Sequence, residues 1–301
     1  MIKNNRKNPK ICADNCQNKL VVITGATSGI GLAAAKKYAS QGANLICINR
    51  SNEKSESLRQ SLESEYGIKC DYLIADLSML DDIYRISREL ASLEQSIDVI
   101  IHNAGVFLTR RELTPDGLEK VLVVHYLSSF VMNYLLMDKL KTQENARIIM
   151  VGSEGHRFAA WGLALDDLNW EKRRYSGLQS YGSAKLAQLL AMLCFDERFQ
   201  NTGVTINTMH PGAVKSGTGQ ENGPLYRWFK QHCFDKMLKT PEVSAEALYY
   251  LGVSRELDGI SGKFFNLTTI EEPAPPALDR DAAHQLWEQT LGMAGLEDER
   301  V

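Results

Sequence analysis

The sequence has little surplus charge. Its 34 Lys and Arg stand against 37 Asp and Glu, leaving a net charge of −3 over 301 residues. With an isoelectric point near 6.1 there is no global basic field of the kind that draws nucleic acid, so that function class is set aside. Cysteine is sparse and scattered. Cys12 and Cys16 are spaced closely enough for two zinc ligands, but no second Cys/His pair follows. No metal is expected, and the thiols read as ordinary groups of a reducing cytosol. No uninterrupted apolar run approaches the ~20 residues that cross a bilayer, so no transmembrane segment is expected. Residues 1–18 are polar and basic (Lys3, Arg6, Lys7, Lys10) and lack the apolar core of a secretory signal. They read as a flexible polar leader, and the location as cytoplasmic. Internal repeats and low-complexity linkers are missing too. The length and a hydrophobic content of 44% suit one large α/β domain over residues 19–301.

What is present is alternation. Near-continuous Val/Ile/Leu runs at residues 20–24, 44–49, 71–75, 99–102, 147–151 and 204–209 read as strands buried on both faces. Helical patterns lie between them at 30–40, 53–66, 80–93, 117–141 and 179–199, with a closing helix at 281–291 after the proline-rich 273–276. Strand–helix alternation implies right-handed βαβ crossovers. The expected fold class is α/β: a doubly wound parallel sheet, Rossmann-like, in a single three-layer α/β/α domain. A Gly/Ser-rich stretch at 212–223 opens a candidate substrate loop over about 212–240. A helix with an aromatic face (Tyr226, Trp228, Phe229, Phe234) is expected within it.

The first strand runs into Gly25-Ala26-Thr27-Ser28-Gly29-Ile30-Gly31. Glycines at this spacing allow a tight turn, close backbone approach to a pyrophosphate, and close helix–strand packing. The phosphates would then meet the free N–H groups and positive dipole end of the next helix. The spacing is G-x-x-x-G-x-G rather than G-x-G-x-x-G. At the end of the second strand, Asn49-Arg50-Ser51 lacks the acidic residue that would hold a 2′-hydroxyl. Arg50 could grip a 2′-phosphate, which predicts NADP(H), or could be a solvated surface residue. Asp76 and Leu77 end the third strand. They could touch the adenine, or Asp76 could cap the following turn.

Far downstream, Tyr181 and Lys185 are four residues apart and share one helix face. A neighbouring ammonium favours phenolate, lowers the pKa of a tyrosine, and lets it exchange a proton with a carbonyl oxygen near neutral pH. Ser153 ends the strand before it, at the rim where open α/β sheets bind ligands.

In this order, Thr24-Gly25-x-x-x-Gly29-Ile30-Gly31, Asn103-Ala104-Gly105, Ser153, Tyr181-x-x-x-Lys185 and Pro211-Gly212 resemble the short-chain dehydrogenase/reductase family over about residues 19–296. Asp167-Leu168-Asn169, the run from Tyr181 to Ala187, the long gap between Ser153 and Tyr181, and the tail Pro273-Ala274-Pro275 with Leu286-Trp287-Glu288 are similar to retinol dehydrogenase-like and protochlorophyllide reductase-like members. The resemblance implies that Ser153 holds the substrate carbonyl, Tyr181 is the acid/base and Lys185 binds the nicotinamide ribose. It also implies that Asn103, Ala104, Gly105, Pro211, Gly212 and Val214 lie along the cofactor, with Ser216 near its carboxamide. Family members often form dimers, so a homodimer is a possible assembly.

One position departs from the family. Where members carry an Asn that completes a proton relay, alignment on Phe130 places His125, with Val124 one residue away. His125 could preserve the relay, shift its pH range or break it. The function implied is NADP(H)-dependent hydride transfer between nicotinamide and a small-molecule carbonyl or alcohol, of apolar character such as a retinal-, steroid- or lipid-like aldehyde or ketone. The alternative, resting on His125, is a non-catalytic NADPH-binding or scaffold protein with an altered relay.

Overall fold

The computed structural model describes residues 8–214 and 239–297. Eight strands form one sheet in the order β3-β2-β1-β4-β5-β6-β7-β8. They are β1 (Leu20–Thr24), β2 (Asn44–Asn49), β3 (Cys70–Ile74), β4 (Val99–His102), β5 (Ala146–Val151), β6 (Val204–His210), β7 (Phe264–Asn266) and β8 (Thr269–Glu271). All neighbouring pairs are parallel except β7 and β8. The order reverses between β1 and β4, so a crevice opens at their carboxyl ends.

The helices are α1 (Gly29–Ala39), α2 (Asn52–Tyr66), α3 (Leu80–Ala91), α4 (Lys120–Lys141), α5 (Gly177–Arg198), α6 (Pro241–Val253) and α7 (Arg280–Ala294). They cover both faces of the sheet. One core joins α3, α4, α5 and α7 to residues such as Val22, Ile100 and Ile148. The other joins α1, α2 and α6 to Val21, Ile101 and Ile149. Successive strand residues point to opposite faces, so continuous apolar runs feed both cores. This is the three-layer, single-domain α/β architecture that the alternation implied.

Four local features differ from the sequence expectations. β7 and β8 are too short to leave a periodic signal. α6 is apolar nearly all round, with Ala247, Leu248, Tyr249 and Leu251 all buried, so no amphipathic stripe marks it. The helix expected over 117–141 starts at Lys120 and carries a π turn, Val123–Leu127, in which the Ser128 N–H reaches back to the Val123 carbonyl. From residue 8 on, the expected polar leader lies against the domain. The Lys10 ammonium binds Glu256 at 2.7 Å and Tyr250 at 3.0 Å, the Tyr249 hydroxyl donates to the Asp14 carbonyl, and Cys12 and Cys16 are buried beside α6. Apolar Cys side chains spaced along a polar stretch supply the contact that its overall polarity hides.

α4 is, among the described residues, the one helix long and apolar enough to cross a bilayer, and 89% of its apolar window is buried inside the domain. Ser216 and the aromatic stretch 226–234 lie outside the described residues, as does most of the candidate substrate loop.

Candidate active site

A cleft of about 400 Å³ opens at the carboxyl ends of β1, β2, β4, β5 and β6. At its floor, Gly25 takes a left-handed φ of +71°, and its N–H donates to the Ile48 carbonyl at 2.8 Å. A Cβ on Gly31 would lie 2.1 Å from the Gly25 carbonyl oxygen, so only glycine lets α1 start this close to β1. Gly31 therefore acts behind the cleft, while Thr27, Ser28, Gly29 and Ile30 line it. Ser28 is the N-cap of α1 in an extended conformation, with no side-chain cap bond to the first turn. The first-turn N–H groups are left to face the cleft, an arrangement that suits phosphate oxygens.

Asn103 locks the next strand onto this turn. Its amide nitrogen donates to the carbonyls of Thr24 (2.9 Å) and Gly25 (3.1 Å). The Thr24 hydroxyl accepts from the N–H groups of Asn103 and Ala104, both at 2.9 Å. Asn103, Ala104 and Gly105 thus run along the cleft wall opposite Gly25.

Asn49 was not singled out from the sequence. Its Oδ1 accepts from the Ala26 N–H at 2.8 Å, while its buried Nδ2 has no partner. Arg50 follows it at the exposed rim, with Lys54 one turn into α2. Asp76 caps its own turn, accepting from the Ser78 N–H at 2.9 Å and hydroxyl at 2.8 Å, with Leu77 beside it on the cleft wall. The adenine and capping roles weighed for Asp76 are therefore compatible in position, and the cap is the one realised in its bonds.

The reactive groups gather at the other end. Ser153 follows β5, and its Oγ accepts from the Gly155 N–H at 2.9 Å, with the Tyr181 ring on the other side of Gly155. His156 steadies this turn: its Nδ1–H donates to the Ser153 carbonyl at 2.7 Å, and its Nε2 accepts from the Ala274 N–H at 3.0 Å. Tyr181 and Lys185 lie on one face of α5. The Lys185 ammonium donates to the Val151 carbonyl at 2.6 Å and to Gln188 Oε1 at 2.9 Å, and sits 5.8 Å from the centre of the Tyr181 ring.

The electrostatics differ from the expectation of a phenol acidified by its lysine. Burial pushes the Tyr181 phenol up, with only the Ser153 hydroxyl pulling it back. Burial pulls the Lys185 ammonium down to about 7. The lysine is turned to Val151 and Gln188, and an amine only about half charged at pH 7 does less to stabilise phenolate than a full ammonium. Tyr181 accordingly keeps its proton at neutral pH.

His125, rather than Val124, faces Tyr181: the rings meet edge-on, with centroids 5.2 Å apart and planes at 88°. The His125 Nε2 lies 2.7 Å from the Val106 carbonyl oxygen and 3.1 Å from its N–H. Nε2 therefore sits between the two backbone groups of Val106, and Nδ1 is buried without a partner. Burial first, and Lys185 second, hold the imidazole well below its usual pKa. It stays neutral, and it lies within the π turn of α4. Val124 lines the cleft alongside it, with Val106, and Phe107 packs edge-on to Tyr181 at 5.9 Å, so this end of the cleft has an apolar wall.

Pro211, Gly212 and Val214 close the far side. His210, also not singled out from the sequence, precedes them on the rim. Its Nδ1 accepts from the Glu154 N–H at 3.3 Å, and burial lowers it to about 4. Its place at a strand end beside Pro-Gly was the available signal.

A doubly wound sheet with a glycine turn, an uncapped helix N-terminus and a Ser–Tyr–Lys cluster on one rim defines a dinucleotide-binding α/β oxidoreductase. The chain belongs to the short-chain dehydrogenase/reductase family, among its retinol dehydrogenase-like members. The family model for short chain dehydrogenases matches residues 19–163. Human retinol dehydrogenase 13 is 34% identical over 286 residues, covering 93% of this chain and 85% of that protein. A solved structure from Mycobacterium paratuberculosis superposes with a TM-score of 0.74 at 25% identity, covering 97% of both chains. A short chain dehydrogenase from Shigella flexneri, complexed with NADP, gives a TM-score of 0.67 at 20% identity over 84% of this chain and 98% of that one.

Proposed function

We propose that this protein is an NADP(H)-dependent carbonyl reductase or alcohol dehydrogenase acting on an apolar small molecule. The observation that carries the proposal is the gathering of Ser153, Tyr181 and Lys185 at the rim that also holds the phosphate-type turn. Several features fit the dinucleotide: the uncapped α1 N-terminus, the orphaned Asn49 amide, and Arg50 and Lys54 standing where a 2′-hydroxyl site would place an acid. The NADP in the Shigella flexneri structure supports the same choice.

The glycine turn and the α1 N-terminus would hold the pyrophosphate, and Lys185 the ribose beside the nicotinamide. The bound nicotinamide supplies the hydride. This chain supplies the rest. The Ser153 hydroxyl, on the side of the cleft facing Tyr181, orients the substrate oxygen. Tyr181, kept protonated by burial, donates its hydroxyl proton as negative charge develops on that oxygen, so its work is done in the transition state. Lys185, titrating near 7, is poised to return the proton. The apolar wall of Val106, Phe107 and Val124 excludes water and favours an apolar substrate; the retinol dehydrogenase relatives point the same way.

A panel of aldehydes and ketones (retinal, steroid ketones and fatty aldehydes among them), with the corresponding alcohols, scored by NADPH absorbance, tests this. Turnover with NADPH that disappears in Tyr181→Phe is expected. Cofactor binding with no turnover on any member would instead indicate a non-catalytic NADPH-binding protein.

A further inference from the structure

Glu119 is completely buried, 6 residues before His125, and the mechanism above does not use it. As the N-cap of α4 it accepts from the Leu122 N–H at 2.7 Å. Its other oxygen accepts from the Tyr175 hydroxyl at 3.1 Å and the Ser180 hydroxyl at 3.2 Å. Its own N–H donates to Asn169 Oδ1 at 3.0 Å, within the Asp167-Leu168-Asn169 segment. One carboxylate is therefore bonded to the start of the helix that carries His125 and to both sides of the start of the helix that carries Tyr181.

That second helix needs the tie. α5 begins at Gly177, a poor helix former, and its N-cap Ser176 makes no side-chain cap bond. First turns fray when their N–H groups are unsatisfied. Tyr181 follows this weak turn, directly after Ser180. A tether at Ser180 limits how far the Tyr181 backbone can swing, and the same oxygen, through Tyr175, fixes the chain that enters the helix. Through Leu122 the carboxylate also caps the first turn of α4, directly before its π turn.

We propose that Glu119 is a positioning residue for catalysis: it holds the His125 and Tyr181 rings in register by tying α4 to the α5 N-terminus. The proposal rests on Tyr181 being the proton donor, and its test separates the two ideas.

The full-length protein is prepared with ¹³Cζ-labelled tyrosine, and the Tyr181 signal is assigned by its loss in Tyr181→Phe. Its pH titration is then followed in the wild type, Glu119→Ala, Glu119→Gln, Ser180→Ala and Tyr175→Phe. NADPH affinity, kcat and KM for a carbonyl from the panel are measured alongside. Misplacing a reacting group by ~1 Å can cost ~10²-fold, so Glu119→Ala is expected to lose about 10-fold or more in kcat, with little change in NADPH affinity and a displaced Tyr181 titration. Ser180→Ala and Tyr175→Phe each remove one bond, are expected to lose part of that activity, and serve if Glu119→Ala does not fold. Glu119→Gln is expected to restore most of kcat, because its amide can still accept from Leu122 and donate to the two hydroxyl oxygens. An unmoved Tyr181 titration and unchanged kcat in Ser180→Ala and Tyr175→Phe, with only a lower Tm, would overturn the proposal. If Tyr181→Phe keeps its turnover, the acid assignment fails, while the titration still decides whether Glu119 positions the ring.

Discussion

Gly105 and His125 are fitted to one another: a Cβ on Gly105 would stand 2.3 Å from His125 Cε1. The missing side chain leaves room for an imidazole where the family carries a shorter amide. The ring then takes its bond from Val106 and turns its edge toward Tyr181. The glycine that the sequence presents as part of a cofactor wall also shapes the proton-transfer end of the cleft.

Gly105→Ala is expected to displace the imidazole and to destabilise by about 1–3 kcal/mol, the usual cost of overpacking a core. It should also lower kcat. His125→Asn removes the atoms that clash, so the double variant Gly105→Ala/His125→Asn should be more stable than the sum of the single effects. Urea denaturation of all four proteins measures the coupling; additive effects would mean that the two residues do not share this space.

Tyr181→Phe should lower kcat by at least ~100-fold, in line with loss of a general acid. NADPH affinity should hold, since the phenol acts on the substrate oxygen. Single-turnover rates together with calorimetric binding check both halves.

The pH dependence of stability should carry a mark of Lys185. Its folded pKa of about 7 lies below its ordinary 10.5, so above pH 7 the unfolded chain holds a proton that the folded one has lost. Stability from this group therefore rises with pH from about 7 upward, by at most about 1.4 kcal/mol per pH unit. Lys185→Met removes this contribution. Denaturation midpoints between pH 7 and 8.5 should climb less steeply in the variant, and parallel slopes would remove Lys185 as the cause.

Arg50→Ala should weaken NADP(H) binding by about 1–3 kcal/mol, the value of a charge-assisted contact, and leave NAD(H) nearly unchanged. Calorimetry with both cofactors reads the difference. Equal losses would place Arg50 away from the 2′-phosphate.

The sheet, its parallel sense and the position of the cleft were legible in the sequence, because strands buried on both faces must be continuously apolar and the glycine turn must follow β1. Many of the candidate residues could be named because they stand at a strand end or, like Tyr181 and Lys185, one helical turn from a partner; others, His125 among them, came from the family resemblance, and Asn49 and His210 carried too little local signal to be singled out. α6 and the short pair β7–β8 were not legible, since neither uniform apolarity nor three residues leave a period to detect. The anchoring of residues 8–18 was hidden because two buried cysteines are outweighed by the polar residues around them.

By itself the sequence determined the order of elements and the end of the sheet where the glycine turn opens, since these follow from local periodicity and spacing; the Ser–Tyr–Lys cluster was named from its spacing together with the family resemblance. Only the tertiary structure decided the state of that cluster. Burial by distant segments keeps the proton on Tyr181, lowers Lys185 and turns it toward Val151, and leaves His125 neutral. His125, within a π turn, meets Tyr181 edge-on, and a buried Glu119 joins two helices far apart in the chain. Desolvation and packing depend on everything that surrounds a group, and no window of sequence contains that.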